Sequence, residues 1–321
     1  MIQPLKLSAS VQTLLRCPAC KSELTRTDDR FSCINPACYT QFPTVAGAPV
    51  LINEKASVFS TDDFVSLRQT TLRLNGSSIT GSIKRFLPRL GGNNKAKQNY
   101  QEMAGLLLRQ SPNPTVLIIG GSILGDGTEA LLAEPRIELV ESDVSFGPRT
   151  QLISDAHEIP FADGTFDAVV VQAVLHCLTD PDRCVGEIHR VLKKDGMVYA
   201  ETAFMQQVID APYDFTRFTY FGLRRLFRHF DEVKSGVVAG PGTALAWSCQ
   251  FFLLSFARSR FARGLIRALC HLSLFWIKYF DYYLADSPGA FDAASGFYFM
   301  GRRSEGILGD RDLVRLCRGS G

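Results

Sequence analysis

The sequence predicts an α/β fold in which a doubly wound parallel sheet follows a small cysteine-rich module. Three observations predict this class. From residue 113 onward, apolar strand-like runs alternate with helix-like stretches, which is the pattern of βαβ units. Four of the nine cysteines fall between residues 17 and 38. The 321 residues are 46% hydrophobic and 21% charged, an ordinary globular composition that can bury a large core.

Charge and hydropathy exclude several other classes. The net charge of +3 is too weak to indicate nucleic-acid binding by itself. Near the N-terminus no apolar stretch reaches signal-peptide length, and no apolar run is long and uncharged enough for a membrane span. We therefore expect a cytoplasmic protein whose cysteines bind metal or stay free. Five cysteines are expected to be small buried hydrophobic residues: Cys177, Cys184, Cys249, Cys270 and Cys317.

The N-terminal cysteines form two short knuckles, C-x2-C and C-x4-C, with twelve residues between them. Four thiolates in this spacing match a closed tetrahedral zinc site, which is structural because no position is open. Two short strands are expected around Asp28 and Asp29, between the knuckles. Two disulfides or a chance cluster are the alternatives, and iron could replace zinc. The predicted metal ligands are Cys17, Cys20, Cys33 and Cys38.

A helical linker is predicted between this module, residues 1–56, and the sheet. Residues 57–112 contain a loop signal, RLGGNNKAK, and then AKQNYQEMAGLLLRQ, in which apolar residues recur at helical spacing. The following SPNP ends the helix.

A glycine-rich turn follows the first strand of the sheet in VLIIGGSILGDG, residues 116–127. Glycine lets the backbone approach a ligand closely because it tolerates positive φ and has no side chain. Dinucleotides, phosphates and S-adenosylmethionine can all bind such a turn. The next strand, RIELVESD, ends in carboxylates that can accept hydrogen bonds from ribose hydroxyls. Further on, Asp155 is expected to end the third strand, FDAVVVQA to form the fourth, Asp180 to cap a helix, and Asp195-Gly196 to form a turn before the fifth.

Two stretches resemble known families. The first fifty-five or so residues resemble zinc-ribbon proteins that are partners of methyltransferases or fused to them, through Leu15 to Cys20, Phe42-Pro43 and Gly47 to Leu51. Residues 114–204 resemble class I S-adenosylmethionine-dependent methyltransferases through four motifs in order: VLIIGG, LVESDVS, SDAHEIPFADGTFDAVVVQAVLH and EIHRVLKKDGMVYAETAF. The resemblance implies a doubly wound, Rossmann-like methyltransferase sheet.

The same resemblance implies a site for S-adenosylmethionine. The turn would lie against the methionine moiety, the end of the second strand would hold the ribose, and the end of the third would contact the adenine amino group and ring. Carried over by position, these residues are Gly120, Gly121 and Ser122 for the turn, Asp143 for the ribose, and Asp155, Ala156 and His157 for the adenine.

The chain departs from the family pattern in three places. Ile118 stands where the family has an acidic residue, and Ser122 stands where it has a second glycine, in a lengthened turn. Only eleven residues separate Asp143 from Asp155, which is too few for the usual crossover helix. Glu141 is therefore an alternative ribose ligand.

Two features indicate where the substrate binds. His176 follows the fourth strand and could accept a proton near neutral pH, although a packed helix-start histidine is the alternative. The segment APYDFTRFTYFGLRRLFRHF resembles one found in a branch of these methyltransferases. Its Tyr213, Asp214 and Arg217 either border the substrate pocket or form a buried ion pair.

A helical insertion, residues 243–287, is predicted within the methyltransferase core, residues 113–242 and 288–321. It is rich in aromatic residues and carries interspersed arginines. Basic residues opposite an aromatic face are typical of helices in a membrane interface. We predict a lid over the substrate cleft that also contacts a membrane peripherally, with an ordinary lid or a homodimer face as the alternatives.

The function expected is methyl transfer from S-adenosylmethionine to a small or lipid-linked molecule, such as a glycan intermediate. One alternative is methylation of RNA or a translation factor, since zinc ribbons fused to methyltransferases can read RNA. The low net charge makes nucleic acid the weaker expectation. The other alternative is a non-catalytic zinc-ribbon scaffold.

Overall fold

The computed structural model of the protein describes residues 4–71, 88–93, 95–208 and 210–316. Within them, one 11-stranded sheet has the order β1-β2-β3-β4-β7-β6-β5-β8-β9-β11-β10. The strands are β1 Leu24–Thr27, β2 Arg30–Cys33, β3 Gln41–Val45, β4 Ala48–Leu51, β5 Thr115–Ile119, β6 Glu138–Asp143, β7 Leu152–Ser154, β8 Phe166–Gln172, β9 Leu192–Ala203, β10 Phe230–Ala239 and β11 Gly296–Arg303.

Helices cover both faces of this sheet. The α-helices described are α1 Ala9–Thr13, α2 Thr61–Val65, α3 Ala96–Gln110, α4 Glu129–Leu132, α5 Pro181–Val191, α6 Tyr220–Leu226, α7 Pro241–Ser255, α8 Arg260–Ser273, α9 Asp281–Leu284, α10 Pro288–Ala293 and α11 Asp310–Arg315. Short 3₁₀ turns span Ala156–Glu158, Leu175–Cys177 and Ile277–Phe280.

The sheet is doubly wound, which confirms the predicted fold class. Strands β7, β6, β5, β8 and β9 are parallel, and β11 pairs antiparallel with both β9 and β10. After β5 the chain moves outward through β6 and β7, and then returns to place β8 on the other side of β5. Ligands of such sheets bind beyond the carboxyl ends of the strands, at this change of direction.

The apolar runs of β5 and β8 are buried because helices pack on both of their faces. One face packs against α3 and α4 through Tyr100, Met103 and Leu131. The other packs against α5, α6 and the cysteine module through residues such as Ile188 and Leu223. Continuous apolar strands are expected wherever a parallel sheet is covered in this way.

The cysteine module joins the main sheet. Strand β4 pairs in parallel with β7, with Val50 opposite Ile153. A bridge also joins Leu15 to Phe161, and Lys21 Nζ lies 2.8 Å from Glu187 Oε2 on α5. The module and the doubly wound sheet therefore share one hydrophobic core.

Several local expectations can be compared with the structure. Residues 144–151 contain no helix, as the short spacing predicts. The Asp195-Gly196 turn is replaced by an irregularity inside β9, where the register against β8 jumps from Leu192 to Met197. Cys184 and Cys270 are buried, Cys177 and Cys249 are partly buried, and Cys317 lies outside the described residues. The linker prediction falls partly on residues 72–87 and 94, which also lie outside them.

The helices α7 to α10 occupy the connection between β10 and β11. The buried carboxylate of Asp281 holds this unit together, because it accepts hydrogen bonds from the backbone N–H groups of Gly240, Gly242 and Thr243 and from the Thr243 hydroxyl. A small core of Leu90, Ala246 and Cys270 lies between the helices. Among the residues described, no helix is both long and apolar enough to cross a membrane.

Candidate functional site

A cavity of about 490 Å³ opens at the carboxyl ends of β5, β6, β7 and β8. Its volume lies within the range of cofactor pockets. The residues predicted for the cofactor mostly converge here, since the lining includes Gly120, Ser122, Glu141, Asp143, Asp155, Ala156 and His157.

The glycine turn approaches the cavity because its first residue has a left-handed backbone. Gly120 has φ +80°, and a Cβ there would collide with the side chain of Val174. The N–H groups of Gly120 and Gly121 donate to the carbonyl of Ser142, at 2.9 and 3.0 Å. The turn therefore lies across the end of β6. Gly121 is not among the lining residues.

Both candidate ribose carboxylates line the cavity, in different environments. Asp143 Oδ2 accepts a hydrogen bond of 3.0 Å from the Ser122 N–H, and burial raises the pKa of Asp143. Glu141 is paired with Arg149, with 2.5 Å between Oε1 and Nε. Burial raises the pKa of Glu141, and the arginine opposes that shift. Asp143 is next to the turn, whereas Glu141 is already engaged by a cation.

Asp155 is held in a fixed orientation. Its Oδ1 accepts a hydrogen bond of 2.9 Å from the His157 N–H, and the His157 ring Nδ1 lies 2.5 Å from the same oxygen. Its Oδ2 accepts a hydrogen bond of 2.5 Å from the Ser57 hydroxyl. Burial acts to raise the pKa of Asp155, but these hydrogen bonds hold it below its usual value.

The segment after the cysteine module completes one wall of this cavity. Val58 and Phe59 line it beside Asp155, and the ring of Tyr213 lies 5.4 Å from that of Phe59. The sequence gives no local signal for this contact, because residues 57–59 are nearly a hundred positions from Asp155. Tyr213 is the member of the predicted substrate trio that reaches the cavity.

The other two members of that trio form an ion pair. Arg217 Nη2 lies 2.9 Å from Asp214 Oδ2, and the guanidinium also donates to the carbonyls of Gln206 and Gln207. Neither charged residue lines the two cavities of this region. Arg217 and Asp214 thus fix the loop that carries Tyr213.

His176 faces a second cavity, of about 420 Å³. Its side chain is almost completely buried, and its Nε2 lies 3.3 Å from Asp210 Oδ2. This cavity is bounded by α7 and by the ends of β9, β10 and β11. The sheet changes direction at β5, and the cavity lies on the opposite side of β5 from β6. The two cavities share Asn93, Asp126, Ala173, Glu201 and Asp210 as lining residues.

Glu201 is a functional candidate that the sequence reasoning missed. It is 5% exposed and lies near the end of β9, between the two cavities. Its carboxylate accepts hydrogen bonds from Tyr199 Oη at 2.5 Å, Gln172 Nε2 at 2.8 Å and Asn93 Nδ2 at 2.7 Å. Burial raises its pKa to about 7. The available signal was a carboxylate inside the otherwise uncharged stretch GMVYAETAF.

The four N-terminal cysteines converge on one point. Their sulfur atoms all lie within 4.8 Å of one another. Cys17 Sγ is 3.8 Å from Cys38 Sγ, and Cys20 Sγ is 3.4 Å from Cys33 Sγ. Zinc–sulfur bonds of about 2.3 Å in a tetrahedron place the sulfur atoms about 3.8 Å apart. The residues present therefore fit a tetrahedral metal with no open position.

Comparisons with known proteins find a matching family and several partial relatives. The family described as Methyltransferase domain matches residues 126–200. The ubiquinone/menaquinone biosynthesis C-methyltransferase UbiE of Saccharophagus degradans is 28% identical over 153 residues, which are 47% of this chain and 55% of that protein. The mitochondrial arginine-hydroxylase NDUFAF5 of Rattus norvegicus is 38% identical over 58 residues, 18% of this chain and 16% of that protein.

Among solved structures, the 1,6-didemethyltoxoflavin-N1-methyltransferase of Burkholderia thailandensis superposes with a TM-score of 0.39 at 12% identity, covering 84% of this chain and 98% of that one. The chain spans about half the length of the UbiE protein and less of the rat protein. Residues 126–200 thus match the methyltransferase domain family, and they lie in a doubly wound, Rossmann-like sheet that carries a four-cysteine module on its N-terminal side.

Proposed function

We propose that this protein transfers a methyl group from S-adenosylmethionine to a small or lipid-linked acceptor. The observation that carries the proposal is the gathering of the turn at Gly120, the carboxylate of Asp143 and the Asp155–His157 pair around one cavity. These groups come from three strand ends, and each is oriented by a hydrogen bond of its own.

In this proposal the bound cofactor supplies an electrophilic methyl group, and the protein supplies alignment. Methyl transfer is an in-line displacement, so positioning lowers the barrier more than any single group does. Asp143 would accept hydrogen bonds from the ribose, Asp155 would accept one from the adenine amino group, and Ala156 and His157 would lie beside the ring. The turn at Gly120 and Ser122 would pass close to the methionine moiety, and its first residue has a left-handed backbone that favours glycine.

On the acceptor side, we propose that His176 contacts the substrate in the second cavity. Asp210 would orient its imidazole, as a carboxylate does for many catalytic histidines. Tyr213 would close the cofactor side, held by the loop that the Asp214–Arg217 pair fixes.

Isothermal titration calorimetry with S-adenosylhomocysteine tests the cofactor part. We expect saturable binding by the wild type and at least a tenfold loss of affinity in Asp143→Asn and Asp155→Asn. Asp312→Asn is a matched control, because that carboxylate lies on α11, away from both cavities. If the folded wild type does not bind, the non-catalytic scaffold becomes the better explanation.

The acceptor class is tested with cell extract. Incubation with cofactor labelled in its methyl group, followed by separation into RNA, protein, lipid and small molecules, shows where the label goes. We expect the lipid or small-molecule fraction. Label in RNA or protein would favour the alternative of an RNA or translation-factor methyltransferase.

We also propose that the four cysteines hold a structural zinc ion. Metal analysis of the purified protein is expected to find one zinc per chain, and Cys33→Ser to lower that occupancy. A wild type without zinc or iron, with free thiols titrated quantitatively, would contradict it.

Peripheral membrane contact is the last part of the proposal, and α7 and α8 support it. Large apolar side chains on these helices are exposed, including Phe252 and Phe261, as is Phe256 at the C-terminal end of α7. Between residues 241 and 280 there are four arginines and one lysine and no acidic residue, so this surface is complementary to anionic lipid. We propose that it rests on an anionic membrane surface.

Flotation with vesicles of phosphatidylglycerol and phosphatidylcholine tests this contact. The wild type should float, and Phe252→Asp and Trp276→Asp should not. Val314→Asp is the control, since Val314 is equally exposed but lies on α11. If the wild type stays in the soluble fraction and sediments as a dimer that the two substitutions dissociate, the surface is a subunit interface instead.

A further inference from the structure

The second cavity contains buried polar atoms that have no partner. They are His176 Nδ1, Thr202 Oγ1 and Gln250 Nε2, and their residues are 3%, 4% and 4% exposed. All three residues line the same cavity although they come from different elements: the turn after β8, strand β9 and helix α7. A buried polar group without a partner costs about 1–3 kcal/mol. Three of them around one space indicate that a ligand supplies the missing hydrogen bonds.

The charges around the cavity restrict what that ligand can be. Among the described lining residues, the arginine Arg89 is already paired, with 3.1 Å between its Nη1 and Asp126 Oδ1. Among the described residues, Glu201 and Asp210 have no lysine or arginine as a hydrogen-bonding partner. An anionic group such as a phosphate would therefore meet these carboxylates with no unpaired lysine or arginine among the described lining residues to balance it.

The hydrogen-bonding character points to hydroxyl groups. The amide nitrogen of Gln250 can only donate, the carboxylate of Glu201 accepts, and Thr202 Oγ1 can do both. A hydroxyl group both donates and accepts, so a set of hydroxyls on one ring can satisfy all of these partners, whereas an ammonium group leaves Gln250 unsatisfied. The indole of Trp247 forms part of the wall and offers a flat apolar surface for the ring.

Glu201 lies where the two cavities join. Three carboxylates line both cavities, and Glu201 is the buried one, since Asp126 and Asp210 are exposed; His176 lines only the second cavity. In a direct transfer, the donor carbon comes from the first cavity and the acceptor atom from the second, so the two meet where the cavities join. A carboxylate at that junction is within reach of the reacting hydroxyl.

Resting on the proposed methyl transfer, we infer that the second cavity binds a neutral, multiply hydroxylated ring of the sugar type and that Glu201 removes the proton from the hydroxyl that is methylated. The acceptor oxygen forms a bond to the methyl carbon while the carbon–sulfur bond breaks. The electron pair of that bond stays on sulfur, which leaves as a thioether, and the hydroxyl proton passes to the carboxylate of Glu201. His176, Thr202 and Gln250 bind the remaining hydroxyls.

Ligand binding is tested by saturation-transfer NMR on the full chain with saturating S-adenosylhomocysteine. The probes are methyl α-glucopyranoside for a hydroxylated ring, choline for an amine, and inorganic phosphate, observed by phosphorus line broadening, for an anion. We expect a signal from the glucoside that falls at least fivefold in Gln250→Leu and Trp247→Ala. Preference for choline or phosphate, or a glucoside signal that both variants retain, would overturn the assignment of the cavity.

The role of Glu201 is tested by turnover in the extract assay with the isosteric Glu201→Gln. We expect the rate of label transfer, at fixed extract and saturating cofactor, to fall at least 100-fold while the affinity for S-adenosylhomocysteine changes less than threefold, because a positioned base contributes about 10²–10⁴. Thermal unfolding of the variant at pH 6 verifies its fold. A transfer rate within fivefold of the wild type would refute the base role, and a His176→Asn variant that alone loses turnover would transfer that role to His176.

These outcomes separate the inference from the function on which it rests. Failure of the wild type to bind S-adenosylhomocysteine would contradict the methyltransferase proposal itself. Normal binding of S-adenosylhomocysteine together with a preference for choline or phosphate would contradict only the inferred acceptor site.

Discussion

The carboxylate of Asp281 is expected to control the stability of the whole insertion, so its replacement is the sharpest test of the fold. Asp281 is completely buried, and four hydrogen bonds of 2.7 to 3.1 Å converge on it from the start of α7. In Asp281→Ala, three backbone N–H groups and one hydroxyl lose their acceptor. They also lose a negative charge next to the positive end of the helix dipole.

The cost can be estimated from these contacts. Each buried donor left without a partner costs about 1–3 kcal/mol, and removal of a helix cap alone costs about 0.5–2 kcal/mol. Because the four donors share one acceptor and can partly recover through water, the costs do not add fully. We expect the unit from α7 to α10 to lose about 3–5 kcal/mol of local stability.

Hydrogen exchange measured by mass spectrometry is the appropriate assay, because it reads local opening. Protection of the α7 amides should fall by about 10²- to 4 × 10³-fold, since each 1.4 kcal/mol is a factor of ten. Asp286→Ala is the control, because the Asp286 side chain is exposed and pairs with Lys95 at the surface. Affinity for S-adenosylhomocysteine should stay the same in both variants, as α7 does not line the first cavity. If α7 protection in Asp281→Ala changes less than threefold, the reasoning is refuted.

Three further predictions follow from contacts described above. Cys20→Ser should lower the zinc content and the affinity for S-adenosylhomocysteine, the latter at least threefold, because the module supports one wall of the cofactor cavity. Calorimetry measures the affinity, and the control Cys249→Ser should change neither the zinc content nor the affinity. Because the pKa of Glu201 is raised in the folded protein, protonation of this residue stabilises the fold. This stabilisation is fully present below pH about 4.5 and is lost as the pH rises through about 7. Stability measured by urea unfolding should fall over that window by on the order of 3 kcal/mol, and Glu201→Gln should remove this fall; an equal fall in the variant would contradict the assignment. Gly120→Ala should abolish S-adenosylhomocysteine binding and cost about 2–4 kcal/mol, whereas Gly164→Ala, also at positive φ but with open space around it, should cost only about 1 kcal/mol. Equal unfolding midpoints for the two alanine variants would be the contrary result.

The doubly wound sheet was predictable because its signals are local. The run Val116 to Ile119 before two glycines, and the carboxylates Asp143 and Asp155 at strand ends, each have a physical meaning within a few residues. Parallel strands bring their carboxyl ends to the same edge, so three separate motifs reach one cavity without further information.

The remaining parts of the site depend on contacts between distant segments. Glu201 sits in a strand whose pattern predicts only burial, and its role depends on Asn93 and Gln172 meeting it from other elements. Ser57 reaches Asp155 only because β4 pairs with β7. From the sequence, Asp214 and Arg217 could either border the substrate pocket or form an ion pair. Only their three-dimensional contacts distinguish these two roles.

The pairing of β4 with β7 also has a consequence for the order in which the chain assembles. About a hundred residues separate the two strands, so during synthesis the cysteine module is complete well before the strand it docks on has left the ribosome. Until then β4 presents an open row of backbone N–H and C=O groups, the kind of edge that pairs with other chains. The two β7 residues that pair with β4 cover this edge once they have been synthesised. The exposure of the edge in the nascent chain therefore ends with the pairing of a strand of only three residues.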